Sequence, residues 1–272
     1  MKGAIKAYQY VNILSLDVAA GAVIGSAFFA HLFGAHVAPI VYVALALTVW
    51  VVYTLDHLRD ARSIPGVAAT DRHRFHQQYF KVLMGLVLLI TAIDAALIWQ
   101  SRDRVLFPGM VLGAVVMLYL VLQRHLKFMK EVFVAALYTA GILLPVYVSG
   151  EMRPEGLLLL VILKYFVTAL MNLLLFSLFD HERDRTQRQH SFVTWFGPMS
   201  TRVSIVVLGV LNIVTGFWVW SFDPLVAAIF IAMNLSLLAI LAFQNRLMQR
   251  NYYRILGDGV FFLPVLYLIW AR

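Results

Sequence analysis

The sequence has 272 residues, 62% of them hydrophobic and only 13% charged, with a formal net charge of +8 and no cysteine. A soluble domain carries about 25% charged residues, so the deficit points to lipid as the solvent. The lack of cysteine excludes disulfides, thiolate nucleophiles and Cys-ligated zinc.

A helix that crosses the hydrocarbon core needs about 20 mainly apolar residues. Nine such runs follow one another: Tyr10–Phe33, Val37–Leu55, Phe80–Trp99, Leu106–Leu122, Val132–Val148, Leu157–Phe179, Val203–Trp220, Leu225–Phe243 and Ile255–Trp270. The first is too long for the apolar segment of a signal peptide, so it is read as a retained helix. Little chain is left for a separate soluble domain. The expectation is an all-α, polytopic membrane bundle, with residues 1–272 forming one transmembrane domain.

The connections carry an orientation. If the N-terminus is cytoplasmic, the segments on its side hold 17 basic residues, among them Arg59, Arg72, Lys127, Arg188 and Arg254. The opposite side holds four: Arg102, Arg104, Arg153 and Arg272. Basic residues accumulate on the cytoplasmic side, which predicts N-terminus in and C-terminus out. The polar segments 56–79 and 180–202 would form a cap on that side. The longest connection, Asp56 to Tyr79, reads as a polar loop. Long ordered loops often carry function.

Two short motifs echo one another. Asp56-His57-Leu58-Arg59-Asp60 closes the second apolar run, and Asp180-His181-Glu182-Arg183-Asp184 closes the sixth. Residues four apart on a helix share a face, with Cβ atoms about 5–6 Å apart. Two carboxylates so placed repel, and a cation between them removes that cost. Magnesium takes one or two carboxylates together with phosphate oxygens and water. Two Mg²⁺ ions bridging to a diphosphate would satisfy both pairs. A structural reading stands beside this one: Asp56 can pair with Arg59, and Asp180 with Arg183, as ordinary ion pairs at helix ends.

On these residues the sequence resembles the UbiA superfamily of membrane prenyltransferases. The resemblance implies nine transmembrane helices, with aspartate motifs after the second and sixth that hold Mg²⁺ and the diphosphate of a prenyl donor. Asp56, Asp60, Asp180 and Asp184 would be the metal-binding, catalytic carboxylates. The second region matches through Asp180, Asp184, Arg188, Ser191-Phe192-Val193-Thr194 and Gly197. The fourth connection matches through Tyr119, Leu126-Lys127 and Glu131, which implies that Lys127 contacts the diphosphate, with Arg124 beside it. The first motif departs from the family, because Val52 stands where an asparagine is usual.

Other residues extend the expected site. Arg72, Arg74 and Arg188 have the forked donors that suit phosphate. Asn172 lies two turns before Asp180 on the sixth run and is placed to face a cavity. Asp17 and Asn12 could line it too. His73 and His76 are three apart, a spacing that can put two ligands on one helical face. They are read as substrate-binding, or as ligands of a mixed His/Asp metal site. No Gly-rich phosphate loop, nucleophile elbow or nucleic-acid motif is present.

The function expected from the resemblance is Mg²⁺-dependent transfer from an isoprenoid diphosphate to a hydrophobic acceptor within the membrane lipid. Three rivals remain open at this point: a UbiA-type terpene cyclase, a His/Asp membrane metalloenzyme, and a non-catalytic lipid-handling or transport protein.

Overall fold

The computed structural model describes residues 2–64, 66–68, 70–100, 103–123, 125–150, 156–186, 190–248 and 252–270. The chain forms a helical bundle. Among the described residues nine segments are long and apolar enough to cross a membrane.

A short helix α1 (Lys2–Ile13) leads into α2 (Leu16–Phe33). The sequence reads the end of α1 and the whole of α2 as one run, Tyr10–Phe33. They are broken at Ser15, whose backbone is left-handed (φ 55°), a conformation that disfavours continuing the helix. α3 spans Pro39–Ser63, with Pro39 in its first turn, where proline's missing N–H costs nothing. It runs two turns beyond the expected end at Leu55. The residues that lower hydropathy there, Asp56 to Arg62, are compatible with a helix, and it stops only as Ile64 turns extended before Pro65. The supposed long loop therefore shrinks. Its far half is α4 (Asp71–Gln78), capped by Thr70, whose side chain accepts from the His73 N–H at 3.1 Å.

α5 (Phe80–Gln100) and α6 (Asp103–Leu122) follow. They sit at the lipid-facing margin of the bundle, with only 17% and 6% of their spans buried. After a 3₁₀ turn (Lys127–Met129) come α7 (Lys130–Val148) and α8 (Leu157–Phe179), the latter with the bounds that hydropathy predicts. α9 (His181–Thr186) is a short turn that carries the second motif.

α10 (Phe192–Val214) begins well before the expected Val203, with a kink at Gly197 (φ 81°) just ahead of Pro198. That backbone conformation is open to glycine and costly for other residues. α11 (Gly216–Trp220), α12 (Pro224–Ala242) and α13 (Gln244–Leu247) lead to the last span. It is built from α14 (Tyr252–Gly259), a 3₁₀ turn (Val260–Phe262) and α15 (Val265–Trp270).

The core packs aromatic edges against aromatic faces. Tyr165 of α8 meets Phe29, Phe230 and Phe261 with ring centroids 5.4, 6.5 and 5.7 Å apart. Such edge-to-face contacts add to simple burial. Polar groups inside the bundle are tied to one another. Asn212 donates to the Lys164 carbonyl and Thr168 Oγ1, both at 3.1 Å, and to Asn234 Oδ1 at 3.2 Å. Lys164 Nζ returns a bond to Asn212 Oδ1 at 2.8 Å. In lipid such bonds join helices that have no hydrophobic drive to associate.

Candidate functional site

A cavity of about 430 Å³ opens at the end of the bundle where α3, α4, α8 and α14 converge. Its mouth is polar. Its walls include Val52, Tyr53, Val134, Tyr138, Leu173 and Phe261.

The first motif lies wholly within α3. Asp56 and Asp60 are one turn apart and both line the cavity. Asp56 Oδ1 accepts from Gln123 Nε2, in the turn just after α6, at 2.9 Å. Val52, one turn earlier, is an apolar part of the wall. The amide that reaches the Asp56 carboxylate is that of Gln123, from the turn after α6, and not that of a residue on α3. Arg59 does not pair with Asp56; it donates to the Leu120 carbonyl. His57 is buried, with Nε2 3.1 Å from Ser15 Oγ.

The second motif straddles a helix end. Asp180 terminates α8 in a non-helical conformation, and both of its oxygens are engaged. Oδ1 accepts from Tyr253 OH at 2.6 Å and from Arg183 Nη1 at 2.9 Å, while Oδ2 takes Arg254. Burial alone would raise the Asp180 carboxyl. Arg254, Tyr253 and Arg183 outweigh it and hold the group below the ordinary carboxylate range. The side chain of Asp184 lies outside the described residues, as do Arg124 and Arg188.

α4 leans over the cavity. Arg72 Nη2 donates to Asn12 Oδ1 at 2.8 Å and to the Asn12 carbonyl at 3.2 Å, and Nη1 lies 3.4 Å from His57 Nε2. Burial, aided by Arg254, lowers Arg72 to about 10, so it stays cationic at neutral pH. His73 faces the cavity, and its Nδ1 is buried with no hydrogen-bond partner among the described residues. Burial first, then the Arg254 and Arg72 charges, bring His73 down to about 4, so it is neutral.

Three expected site residues stand elsewhere. Lys127 has its Nζ 5.1 Å above the Trp195 ring and is not part of the cavity wall. Its left-handed backbone (φ 51°) in the 3₁₀ turn directs it to the aromatic surface; Lys130, three residues on, is the lysine that lines the cavity. Arg74 is on the outer side of α4, 3.9 Å from Asp71. His76 is buried under α4, its Nδ1 2.8 Å from the Arg72 carbonyl and its ring 5.2 Å from that of His57. Burial lowers it as well. Spacing of three residues on a one-turn contact does not suffice to pair His73 and His76, since one faces the cavity and the other the protein. Among the described residues no three His, Asp or Glu side chains gather as a metal cluster.

The residues that the sequence reading passed over are Gln123, Lys130, Tyr253 and Arg254. Arg254 counts there only as a loop charge. Its signal is Asp258, four residues on at the head of an apolar run: an Arg/Asp pair on one helical face of a membrane span. Charged groups in such positions commonly face a cavity or a partner.

No protein-family model and no curated protein matches the sequence. Solved structures do match. A UbiA homologue from Archaeoglobus fulgidus bound to DMAPP and Mg²⁺ aligns with a TM-score of 0.64 at 12% identity, covering 96% of this chain and 99% of that one. The same homologue bound to GPP and Mg²⁺ gives 0.66 at 12% identity, over 94% and 99%. A structure of digeranylgeranylglyceryl phosphate synthase gives 0.55 at 12% identity, over 96% and 98%. The chain therefore has the UbiA fold across nearly its whole length: an integral, multi-pass, all-helical membrane bundle.

Proposed function

We propose that the protein is a Mg²⁺-dependent intramembrane prenyltransferase, acting on an isoprenoid diphosphate and a lipophilic acceptor. One observation carries this reading. Two aspartate-bearing helix ends, on α3 and α8, open onto one cavity whose mouth also holds Arg72, Arg183, Arg254 and Lys130 and whose walls are apolar. A substrate with an anionic head and a hydrocarbon tail fits that gradient. The Archaeoglobus homologue of the same fold binds DMAPP or GPP with Mg²⁺, which supports the choice of ligand.

The donor set suits the metal unevenly. Asp56 and Asp60, one turn apart on the cavity wall, are two carboxylates of the kind that hold Mg²⁺ together with phosphate oxygens. Asp180 is already held by Tyr253, Arg183 and Arg254. Bound magnesium would stabilise negative charge developing on the departing diphosphate.

The remaining work falls to the chain. Arg72 and Arg254 present guanidinium groups, pre-positioned by Asn12 and Asp180, to phosphate oxygens. Neutral His73 can donate or accept a hydrogen bond at the same mouth. Val134, Leu173 and Phe261 would exclude water from the allylic carbon as the carbon–oxygen bond breaks and the electron pair leaves with the diphosphate. The cytoplasmic placement of this mouth, with the N-terminus inside, is part of the proposal and rests on the asymmetry of basic residues.

The test is purified protein with labelled geranyl diphosphate. Saturable, Mg²⁺-dependent binding and release of diphosphate with a hydrophobic acceptor are expected. Absence of both, across prenyl chain lengths, would refute the reading.

A further inference from the structure

The cavity has a second polar level, linked to the phosphate-gripping Arg72 through Asn12. Asn12, at the end of α1, donates from Nδ2 to Asp17 Oδ2 at 2.6 Å and to Asp258 Oδ2 at 3.0 Å. Its Oδ1 accepts from Arg72. An amide nitrogen has two hydrogens, and here each is aimed at a carboxylate, so Asn12 is locked in place.

Asn172 faces the same cavity from α8. It is 4% exposed, and its Oδ1 has no hydrogen-bond partner among the described residues. That oxygen lies directly against Gly257, the residue before Asp258; a Cβ at 257 would collide with it and with the Phe176 ring. The close approach of α8 and α14 that glycine permits brings Asn172 and Asp258 to one patch.

α14 sets the height of the patch. Arg254 and Asp258 are four residues apart, about 6 Å along the helix. Arg254 meets Asp180 at the mouth, and Asp258 meets Asn12 one turn further in. The atoms offered at this inner level are hydrogen-bond acceptors: an amide oxygen and a carboxylate. Two carboxylates, Asp17 and Asp258, stand near two arginines, Arg72 and Arg254, and Arg254 is already taken up by Asp180. A head group docking here has to donate hydrogen bonds, and an anionic one meets like charge.

We propose that Asn172, together with Asp258 as Asn12 holds it, binds the head group of a lipophilic co-substrate that carries a hydroxyl, phenol or amine, and that they discriminate against anionic heads. The term co-substrate rests on the prenyl-transfer reading; the binding preference does not. The head would sit one helical turn inward of the phosphate-gripping arginines, with its tail along Tyr53, Leu173 and Phe261.

The experiment compares two probes with the same tail, 4-dodecylphenol and 4-dodecylbenzoate, titrated at pH 7.5 into the purified full-length protein in detergent. The phenol is expected to bind at least about tenfold more tightly, and Asn172→Leu to lower its affinity about tenfold by removing the acceptor. Asp258→Asn keeps the shape and removes charge, and is expected to narrow the gap between the probes. Equal affinities in the wild-type protein, or an unchanged ratio in Asp258→Asn, would overturn the proposal. Geranyl diphosphate with Mg²⁺ is titrated separately into the wild-type protein. No binding there with the phenol preference intact would sink the prenyl-transfer reading and keep this site. The converse would sink this site alone.

Discussion

The two pentapeptides share four of five letters, yet they live in different surroundings. Asp56-His57-Leu58-Arg59-Asp60 continues α3, while Asp180 breaks α8 and starts a new short helix. Arg59 turns away to the Leu120 carbonyl, and Asp56 takes a neutral partner, Gln123. Arg183 stays on Asp180, joined by Arg254 and Tyr253. Similar letters thus give one motif whose first aspartate takes a neutral amide and one whose first aspartate already holds two cations. An ion pair depends on which neighbouring helix supplies the countercharge.

The largest effect should come from breaking the second motif. Asp180→Ala leaves Arg254 without its carboxylate; removing one partner of a buried pair costs about 3–5 kcal/mol, an upper bound for this pair because the Arg254 side chain is 26% exposed. Thermal unfolding in detergent should show this loss, with Asp56→Ala much milder. Adding Arg254→Gln to Asp180→Ala should recover part of it, and strict additivity would mean that the pair is not coupled. A comparable loss in Asp56→Ala would erase the contrast.

Asp56→Ala should act on function instead. Loss of one electrostatic stabiliser typically costs about a hundredfold in turnover. Diphosphate release is expected to fall by that order and to need more Mg²⁺ for half-saturation. An unchanged Mg²⁺ requirement would move the metal away from α3.

Acid should act on the second motif and on His73 beside it in separate pH windows. An unfolded histidine titrates near 6.5, whereas folded His73, beside Arg254 and Arg72, is held down to about 4. Between those values the unfolded chain takes up a proton that the folded chain refuses, so stability falls as pH drops through that window. His73→Gln should flatten the slope between about pH 6.5 and 4. Asp180, whose folded value is depressed, adds stability present above its unfolded value near 3.9 and lost as pH falls through its folded value. Asp180→Asn should remove that lower limb while the His73 limb remains.

The smallest effects belong to Lys127→Ala and Arg74→Ala. Both side chains stand off the cavity wall, and diphosphate affinity should change by no more than about twofold, as expected of surface substitutions. Lys130→Ala should exceed both.

Much of the fold is legible in the sequence because lipid imposes a simple requirement: a span must be apolar along its length and satisfy its own backbone. α8 keeps the bounds that its hydropathy marks. The misreadings occur where polarity and helix content part. Asp56 to Ser63 are polar but remain helical, α4 is helical without being apolar, and Ser15 interrupts a run that hydropathy reads as continuous. At the site, Asp56, Asp60, Asp180, Arg72, His73 and Asn172 reach the cavity, while Lys127, Arg74 and His76 do not.

What the sequence alone determines is a solvent and a set of spans, with an aspartate motif repeated at corresponding ends of two helices. Those follow from local composition, and the rule that lipid enforces is local too. What only the tertiary structure decides is the partner of each charge. Gln123 lies 67 residues from Asp56, and Tyr253 and Arg254 lie 73 and 74 residues from Asp180. Such pairings depend on how helices pack side by side, which no run of neighbouring residues records. Helix packing is therefore what separates two motifs that read almost alike.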